Sequence, residues 1–380
     1  MAEKTFCLLT GSTGQVGQYL LKDLLLDQKP LAVLVRKKNG VSSAERIQFL
    51  LDQWQEITKQ QLPMPVCLEG DTSLPGFGLS LEDRHWVRDH CDTLFHNAAS
   101  VEFNSLRTGT TWNNNFTSAL QALDVCRDHA ISHLVFVSTA YVCGNRQGVV
   151  YEDDLDCGQG FRNEYEQSKL DAEHVVKQSK VTDCVTVLRP GVVVGDYTTG
   201  RTVAYQSFYR FVQFTSILAD SACRNELGRW RHQVRLAMDG SERRNFVTVD
   251  WLSRAAVSII NDPRCHGKTF HLTPARPTNS QAIEQALQEY FRYDGVSFVG
   301  KSGVSRLDQS EEERKFYEFL EDYREYFDDE PIFDRTNTDS AELNFPEPEI
   351  DVPCMIRLID FAVRDRFGKR RKRFLEQSVR

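Results

Sequence analysis

Tyr165 and Lys169, four residues apart, form the pair in this sequence best suited to proton transfer. On a helix, residues at this spacing share one face and their side chains are neighbours. Because a protonated lysine beside a phenol favours the phenolate, we expect Lys169 to lower the pKa of Tyr165. The pair could then act as general acid or base near neutral pH. A solvated helix face is the alternative reading of the same spacing.

Two hydroxyl residues upstream are candidates to complete such a site. The apolar run from His133 to Val137 is typical of a buried strand, and Ser138 and Thr139 follow it directly. We expect one of these hydroxyls to hydrogen-bond a substrate carbonyl. The alternative is that both only satisfy nearby backbone groups.

A glycine-rich turn near the amino terminus lies between a predicted strand, Thr5 to Leu9, and a predicted helix, Gln18 to Asp27. A dinucleotide-binding loop requires this order, because its backbone N–H groups approach a pyrophosphate and the helix N-terminus favours the anion. A glycine turn without a ligand is the alternative. The residues predicted to hold a cofactor here are Gly11, Ser12, Thr13, Gly14, Gln15, Val16 and Gly17.

The charge after the second predicted strand, Leu31 to Val35, indicates which cofactor is bound. Folds that prefer NAD carry an acidic residue there, which holds the ribose hydroxyls. Here Arg36, Lys37 and Lys38 follow the strand, and Arg46 lies beyond them. Positive charge without a carboxylate favours the 2′-phosphate of NADP, whereas a basic surface loop is the alternative.

Further candidate cofactor contacts stand at the ends of later strands, where ligands bind in open α/β sheets. Asp71 is a candidate adenine contact, with a turn-forming role as the alternative. Small residues after the strand Thr93 to His96 allow the backbone to lie against a cofactor, and the amide of Asn115 could fix a neighbouring loop. The candidates of this group are Asp71, Asn97, Ala98, Ala99, Asn115, Pro190 and Gly191.

Strands and helices alternate in at least six steps over the first 200 residues, which predicts an α/β fold with a doubly wound parallel sheet. We assign residues 1–200 to a cofactor-binding domain, to which 245–275 return. Residues 201–244 and 276–380 are assigned to a smaller, mostly helical substrate-binding domain with a basic C-terminal tail. A chain of 380 residues is long enough for two such domains.

Composition excludes several classes of protein. A formal net charge of −8 gives no indication of nucleic-acid binding. The ten cysteines form no C-x-x-C pair, so we predict reduced thiols in a cytoplasmic protein, with no disulfide framework and no metal site. The first apolar run stops at Thr10, which predicts a strand rather than a signal peptide. No apolar run approaches the length of a membrane-spanning helix.

The second half of the sequence is less informative. The aromatic run from Thr202 to Ser216 is either the lining of an acyl channel or plain core. Arg243 and Arg244 are either contacts to CoA phosphates or exposed turn residues. We predict a helix from Glu311 to Glu330 and another that Asp250 caps at its N-terminus.

The C-terminal tail is strongly basic from Arg364 to Leu375, after an apolar stretch from Met355 to Phe361. Three interpretations stay open. A basic amphipathic helix can associate with an anionic membrane surface. It can steer CoA or an acidic carrier protein towards the site, or it can be a frayed end of a soluble chain.

Taken together, five motifs in this order resemble the extended branch of the short-chain dehydrogenase/reductases, which have a Rossmann sheet. Further stretches resemble the thioester reductases, a group that includes the reductase domains of carboxylic acid reductases and nonribosomal peptide synthetases and the related fatty acyl-CoA reductases. The resemblance covers residues 1 to about 275. The five motifs are Thr10-Gly-Ser-Thr-Gly-Gln-Val-Gly17, Asn97-Ala-Ala99, Ser138-Thr-Ala140, Tyr165-x-x-x-Lys169 and Arg189-Pro-Gly191. The further stretches are Gly70-Asp71 with Pro75-Gly-Phe-Gly-Leu79, His96-Asn-Ala-Ala99 with Val101-Glu-Phe103, Val137-Ser-Thr-Ala-Tyr-Val142, and Val193-Val-Gly-Asp196 with Thr199-Gly-Arg-Thr202.

This resemblance implies roles for individual residues. Tyr165 would be the general acid, and Lys169 would tune its pKa and contact the cofactor ribose. Thr139, rather than Ser138, would hydrogen-bond the substrate carbonyl. The three glycines of the turn would hold the pyrophosphate, and Arg36 and Arg46 would hold the 2′-phosphate.

The resemblance also implies an activity, the NADPH-dependent reduction of an acyl thioester to an aldehyde and onward to the alcohol. The sequence contains no adenylating or carrier domain, so we expect the substrate partner to be an acyl-CoA or a separate acyl-carrier protein. Two alternatives stay open. One is an NAD(P)-dependent dehydrogenase or epimerase of a ketone, sterol or sugar nucleotide, and the other is an NADP-binding regulatory protein without turnover.

Overall fold

The computed structural model describes residues 4–101, 110–221 and 223–369. Over the first half, strands and helices alternate almost without exception. In chain order these elements are β1 Phe6–Thr10, α1 Gln15–Leu26, β2 Leu31–Val35, α2 Ser43–Thr58, β3 Val66–Glu69, α3 Leu81–His90, β4 Cys91–His96, α4 Thr110–His129, β5 His133–Val137, β6 Val149–Val150, α5 Glu164–Gln178 and β7 Cys184–Pro190.

The remaining elements are shorter and less regular in order. They are β8 Val192–Val194, α6 Phe208–Ser221, β9 Trp230–Leu236, β10 Arg243–Arg244, β11 Phe246–Thr248, α7 Val249–Asn261, β12 Thr269–Leu272, β13 Thr278–Asn279, α8 Ser280–Phe291, β14 Tyr293–Phe298, α9 Glu311–Phe319, β15 Ile332–Phe333, α10 Thr336–Ser340 and α11 Val352–Arg364. Across the three described ranges, no helix is both long and apolar enough to cross a membrane.

The chain divides into two compact units. The first comprises Met1–Gly191, Leu252–Leu272 and Phe333–Phe345, and the second comprises Val192–Trp251, Thr273–Ile332 and Pro346–Arg380. The segment from Phe333 to Phe345 belongs to the first unit, although the sequence assigned it to the substrate-binding domain. Glu152 explains this placement, because its carboxylate accepts hydrogen bonds from the N–H of Asn337 (2.6 Å) and the hydroxyl of Thr338 (3.2 Å).

A seven-stranded sheet forms the centre of the first unit, in the order β12-β7-β5-β4-β1-β2-β3. All of its strand pairs are parallel, which confirms the predicted doubly wound Rossmann sheet. The strand order reverses at β1, which lies between β2 and β4. Ligands of open α/β sheets bind at such a switch point, outside the carboxyl ends of the strands.

The sequence of these strands explains their burial. All five residues of β2 are buried, as expected for a strand that helices cover on both faces. On one face, Leu8 of β1 belongs to a core that includes Ala122 of α4 and Ala172 of α5. Small residues at these helix positions allow α4 and α5 to pack closely. The core therefore fixes α5, the helix that carries Tyr165.

The second unit contains two small parallel pairs, β8 with β11 and β9 with β14. Helices α6, α8 and α11 contribute to one hydrophobic core beside them. Phe208 and Tyr209 of the aromatic run are buried in this core, so these two residues serve as core.

Two sequence predictions in the second half are wrong. The predicted helix from Glu311 to Glu330 ends at Phe319 and is followed by a 3₁₀ helix, Glu321–Phe327, because the change of direction buries Leu320 and Phe327 in one cluster. Asp250 is also not an N-cap. It lies inside the first turn of α7, and its carboxylate accepts a hydrogen bond from the N–H of Tyr197 (2.9 Å).

Candidate active site

The glycine turn between β1 and α1 lies directly against the end of β4. Gly11 has φ +72°, and a Cβ on it would lie 2.8 Å from the nitrogen of Ala98. A Cβ on Gly17 would lie 2.0 Å from the carbonyl oxygen of Gly11. Both distances are shorter than real Cβ contacts, so these positions require glycine. The side of the turn that faces the end of β4 is therefore bare backbone.

The first turn of α1 has the features of an anion-binding N-terminus. Its N-cap is Gly14, which provides no side-chain hydrogen bond, and the first turn, which includes Gln15 and Val16, has no acidic residue. The hydroxyl of Ser12 is buried and has no hydrogen-bond partner among the described residues. Backbone N–H groups, the positive end of the helix dipole and an unpaired hydroxyl suit a pyrophosphate.

Two arginines converge beside this turn. Arg46 donates to the carbonyl of Arg36 (2.5 Å) and to the hydroxyl of Thr13 (3.4 Å), so it links the end of β2 to the glycine turn. Burial and the charge of Arg36 lower the pKa of Arg46. Arg36 also lies 3.6 Å from the carboxylate of Asp71 at the end of β3. The three side chains carry two positive charges and one negative charge, and the surplus charge is available to a phosphate.

Asp71 itself is mostly engaged by the protein. Its carboxylate accepts hydrogen bonds from the N–H (2.9 Å) and the hydroxyl (2.8 Å) of Ser73. Burial raises the pKa of Asp71, but these hydrogen bonds and the charge of Arg36 outweigh that effect and lower it overall. Asp71 therefore has the turn-forming role and also lies next to Arg36.

The backbone after β4 is held by Thr10, the last residue of β1. Its hydroxyl accepts hydrogen bonds from the N–H groups of Asn97 and Ala98 (3.2 Å each), and the Asn97 amide donates to the carbonyl of Gly11 (3.3 Å). Asn97, Ala98 and Ala99 thus form the second wall of the glycine turn. The N–H groups of Asn97 and Ala98 and the Asn97 amide are used to hold this backbone in place. A ligand in the turn would therefore contact the backbone surface of this segment.

His96 is a positioning residue, which the sequence analysis placed in a resembling stretch but gave no role. Its Nδ1 lies 3.2 Å from the Thr10 hydroxyl, which already accepts two N–H groups and so donates its own proton to Nδ1. The Nε2–H is then left to donate to the hydroxyl of Ser118 (3.0 Å). Burial and the charge of Lys169 lower the pKa of His96 to about 3. The ring is therefore neutral, with one defined tautomer.

The amide of Asn115 links the loop after β4 to α5. Its Oδ1 accepts from the N–H of Ser100 (2.7 Å), and its Nδ2 donates to the Ser100 carbonyl (3.0 Å) and to the hydroxyl of Ser168 (2.9 Å). This is the loop-fixing role expected from the sequence. Of the predicted stretch after Ala99, Glu102 and Phe103 lie outside the described residues.

Tyr165 and Thr139 are brought together at the carboxyl end of β5. Burial raises the pKa of Tyr165 to about 12, and a hydrogen bond with the Thr139 side chain lowers it less strongly. The expectation that Lys169 lowers this pKa does not hold in the structure. Tyr165 is therefore protonated near neutral pH and is suited to donate a proton rather than to accept one.

Lys169 contacts the protein backbone below the site. Its Nζ donates to the carbonyl of Val137 (2.7 Å) and lies 4.6 Å from the centroid of the Phe136 ring. Burial lowers the pKa of Lys169 to about 8, while the charge of Glu173, one turn further along α5, opposes this. The ammonium group thus joins α5 to the end of β5, the strand that leads to Thr139.

A buried ion pair supports this region from below. Both nitrogens Nε and Nη2 of Arg189 bind the Glu173 carboxylate, at 3.1 Å and 2.6 Å, and the two side chains are completely buried. Arg189 also donates to the carbonyl of Glu152 (3.2 Å). Neither Arg189 nor Glu173 was predicted as a functional residue, and only the Arg-Pro-Gly motif signalled this position.

The ends of β5 and β7 are adjacent. The N–H of Ser138 donates to the carbonyl of Leu188 (2.7 Å), and the N–H of Gly191 donates to the carbonyl of Leu272 in β12 (3.1 Å). Pro190 and Gly191 therefore end β7 next to the hydroxyl residues. The Ser138 hydroxyl is buried and, within the described part of the chain, lacks a hydrogen-bond partner.

Arg243 and Arg244 are not exposed turn residues but are engaged by other residues of the second unit. Arg243 is paired with Asp329, and Arg244 is buried and donates to the carbonyls of Phe327 (2.9 Å) and Asp328 (2.8 Å). The exposed-turn alternative is thus wrong, because the arginines hold the segment before β15 inside the second unit, whereas a contact of Arg243 to CoA phosphates stays a prediction. The basic C-terminal tail lies outside the described residues from position 370 onwards.

A family model described as "Male sterility protein", from a set of NAD-binding domains, matches residues 9–256. The nonribosomal peptide synthetase asaC of Aspergillus flavus is 26% identical over 288 residues, which are 73% of this chain and 27% of that protein. The fatty acyl-CoA reductase wat of Drosophila melanogaster is 28% identical over 223 residues, or 50% of this chain and 43% of that protein. The chain thus spans less than half the length of these relatives.

Solved structures show the same fold at lower identity. The terminal R domain of the myxalamid biosynthetic pathway superposes with a TM-score of 0.76 and 21% identity, covering 96% of this chain and 92% of that one. A UDP-glucose 4-epimerase from Bifidobacterium longum, solved with NAD⁺ and UDP, gives a TM-score of 0.65 at 17% identity, covering 96% and 100%. Both comparisons support the extended short-chain dehydrogenase/reductase fold.

Proposed function

Because the chain belongs to the male sterility protein family of NAD-binding domains, we propose that it is an NADPH-dependent reductase of acyl thioesters. The observation that carries this proposal is the pairing of a protonated Tyr165 with Thr139 at the sheet edge that also bears the glycine turn. The reductases among its relatives support thioesters as the substrate class.

The residues present fit a pyridine dinucleotide. Gly11, Gly14 and Gly17 bare the backbone at the N-terminus of α1, and the unpaired hydroxyl of Ser12 lies in the same turn. When bound, the cofactor supplies the hydride. The surplus positive charge of Arg36 and Arg46 over Asp71 favours NADPH over NADH, because only NADPH carries a 2′-phosphate on the adenosine ribose.

Tyr165 and Thr139 have complementary tasks in the reduction. Reduction at the carbonyl carbon places negative charge on the carbonyl oxygen, and two hydroxyl donors stabilise that charge. Tyr165 then transfers its proton to this oxygen, which gives a neutral hemithioacetal. Breaking the carbon–sulfur bond releases an aldehyde, and the sulfur leaves as a thiol. A second equivalent of NADPH would reduce the aldehyde to the alcohol.

Lys169 is assigned a positioning role in this scheme. Its bond to the Val137 carbonyl fixes α5 against β5, and its charge lies close to His96. We also propose that it contacts the cofactor ribose. Because its pKa is about 8, we expect reductase activity to fall as the pH rises above that value and the ammonium charge is lost.

Oxidation of NADPH across a panel of substrates tests the proposed reaction. The panel contains acyl-CoAs of increasing chain length, the same acyl groups on a carrier protein, and free ketones and sugar nucleotides, with products identified by mass spectrometry. We expect aldehyde or alcohol from one of the thioester series. Turnover of ketones or sugar nucleotides alone would identify a dehydrogenase or epimerase. Tight NADPH binding without turnover of any substrate would identify a regulatory protein.

The preference for NADPH can be tested at Arg46. We expect Arg46→Gln to weaken NADPH binding by about tenfold, which corresponds to about 1.4 kcal/mol for one charge-assisted hydrogen bond, and to leave NADH binding unchanged. Arg88→Gln is the matched control, because Arg88 is an exposed arginine that pairs with Asp89 on the surface. Equal losses for the two cofactors would contradict the assignment of Arg46 to the 2′-phosphate.

A further inference from the structure

Two histidines and a cysteine converge at the amino-terminal ends of three neighbouring strands, at the sheet edge opposite to the candidate active site. His133 is the first residue of β5, Cys184 is the first residue of β7, and His266 lies just before β12. One ring nitrogen of each histidine and the sulfur of Cys184 all lie within 4.8 Å of one another. We propose that these three side chains form a zinc site.

The backbone explains why residues so distant in the sequence meet. β5 and β7 are parallel neighbours with His133 opposite Cys184, so the two side chains leave the sheet on the same face. β12 pairs with the other side of β7, with Thr269 opposite Val187. The 3₁₀ turn at Pro263–Cys265 then ends in His266, whose ring lies 4.2 Å from that of His133, centroid to centroid.

Each histidine has its Nε2 held by the protein. The Nε2 of His266 lies 3.0 Å from the carbonyl oxygen of Ile260, and because a carbonyl can only accept, this nitrogen carries the proton. The Nε2 of His133 lies 2.9 Å from the hydroxyl of Thr186. When Nε2 donates in both rings, each Nδ1 keeps a lone pair for a metal. Metal-binding histidines usually show this arrangement, in which the second nitrogen donates to a fixed oxygen.

Thr186 and Gly267 also support the cysteine. The N–H of Gly267 donates to the Thr186 hydroxyl (3.1 Å), and both groups lie close enough to the sulfur of Cys184 to lower its pKa. Burial nevertheless raises the pKa of the Cys184 thiol overall, so the thiolate that binds metals forms as the cation displaces the proton. Thr186 thus contacts two of the three ligands.

The ligand types select the ion. One thiolate and two imidazoles suit zinc, whereas Mg²⁺ and Ca²⁺ prefer oxygen ligands. Zinc bonds of about 2.0–2.3 Å place tetrahedral ligand atoms roughly 3.3–3.7 Å apart, so side-chain shifts of about 1 Å close the site. Cys184 and His266 are partly accessible, which provides an entry path. On binding, the Cys184 proton passes to solvent and a water takes the fourth position.

This position gives zinc a structural task. β5 runs from His133 to Val137, which places the metal about 13 Å from the strand end that precedes Thr139. The ion would join the starts of three strands. One of them, β12, lies in the segment Leu252–Leu272, which follows the Val192–Trp251 part of the second unit in sequence. We therefore expect zinc to raise the thermal stability of the chain without taking part in the reduction.

Zinc binding by the chelator-treated 380-residue chain tests this proposal. We expect one equivalent of Zn²⁺ per chain by metal analysis after gel filtration, and a higher melting temperature with zinc than with Mg²⁺. Co²⁺ should bind in its place and show a thiolate-to-cobalt charge-transfer absorption, a readout that does not depend on any variant. A wild-type chain that retains no zinc and shows no such absorption would overturn the proposal.

Variants separate this site from adventitious binding. We expect Cys184→Ser and His266→Asn to weaken zinc binding at least tenfold, and Thr186→Val to weaken it by about 10–100-fold. Cys67→Ser is the matched control, because Cys67 is another half-buried thiol on a strand of the same sheet. Equal zinc affinity in the wild type, Cys184→Ser and Cys67→Ser would show that binding occurs elsewhere on the chain.

Discussion

Two regions near β5 and β7 differ in how their buried polar groups are hydrogen-bonded: the network around Arg189 and the carboxyl edge of the sheet. Below the candidate site, Arg189 donates to the Glu173 carboxylate and to the Glu152 carbonyl, and the Glu152 carboxylate accepts from three groups of the segment after β15. At the carboxyl edge, the hydroxyls of Ser12 and Ser138 are buried without partners among the described residues. Unpaired buried hydroxyls are costly, and a ligand that hydrogen-bonds with these two would remove that cost. The satisfied network, in contrast, is structural.

Tyr165→Phe should produce the largest effect at the carboxyl edge. It removes the donor that protonates the carbonyl oxygen, and loss of a general acid costs about 10²–10⁴-fold in rate. We expect kcat for thioester reduction to fall by that factor, while NADPH affinity changes little. Steady-state kinetics with a titration of NADPH binding measures both. Full activity of the variant would remove Tyr165 from the mechanism.

Glu173→Gln should produce the largest effect in the satisfied network. It leaves the completely buried Arg189 without its charge partner, which costs about 3–5 kcal/mol in the free energy of unfolding. Urea denaturation measures this loss. Asp124→Asn, which breaks an exposed pair with Arg127, is the control and should cost at most about 1 kcal/mol. Similar losses of unfolding free energy in the two variants would mean that the buried ion pair stabilises the fold no more than an exposed ion pair does.

Stability at acid pH should depend on the buried histidines. Burial lowers the pKa of His96 and of His271 to about 3, so the unfolded chain binds protons below pH 6.5 that the folded chain does not. The contribution of these two histidines to the free energy of unfolding should therefore be complete above pH 6.5 and should decrease as the pH falls towards 3. Urea midpoints across this range measure the slope. His96→Asn should reduce the slope between pH 6.5 and 3, and an unchanged slope would assign the acid sensitivity to other groups.

Ser12→Ala should produce the smallest change in the free energy of unfolding, and it should differ most clearly from a structural serine in its effect on NADPH affinity. The hydroxyl has no partner in the described chain, so its removal should change the free energy of unfolding by no more than about 0.5 kcal/mol. NADPH binding should weaken by about tenfold, because a hydrogen bond to a charged phosphate is lost. Ser80→Ala, which removes the N-cap of α3, should show the reverse pattern: about 1 kcal/mol of stability lost and NADPH affinity unchanged. If Ser12→Ala behaved like Ser80→Ala, Ser12 would be structural.

Sequence reasoning succeeded where the local pattern alone determines structure. The strands β2 and β5 begin and end where the apolar runs do, and the glycine turn lies between β1 and α1 as predicted. Periodicity failed where tertiary packing decides, as between α9 and the 3₁₀ helix that follows it. The burial of Leu320 there depends on residues far away in the sequence.

Residue types and spacing were enough to propose candidate site residues, but not to predict their electrostatics. The spacing of Tyr165 and Lys169 predicted a lowered tyrosine pKa. That prediction failed because sequence spacing contains no information on burial or on the direction of the ammonium group. In the structure, Lys169 donates to Val137, and burial decides the pKa of Tyr165. The His96–Thr10–Ser118 chain of hydrogen bonds and the cluster around Cys184 likewise arise from strand pairing, which no local motif encodes.

Isotope transfer tests the central claim most directly. The 380-residue chain is mixed with NADPH deuterated at the transferable position and with the best acyl thioester, and the product is analysed by mass spectrometry. We predict one deuterium at the former carbonyl carbon of the aldehyde, or two in the alcohol, and a rate that falls by about 10²–10⁴-fold in Tyr165→Phe. A chain that binds NADPH but transfers no deuterium to any thioester, or transfers it equally well without the Tyr165 hydroxyl, would contradict the account.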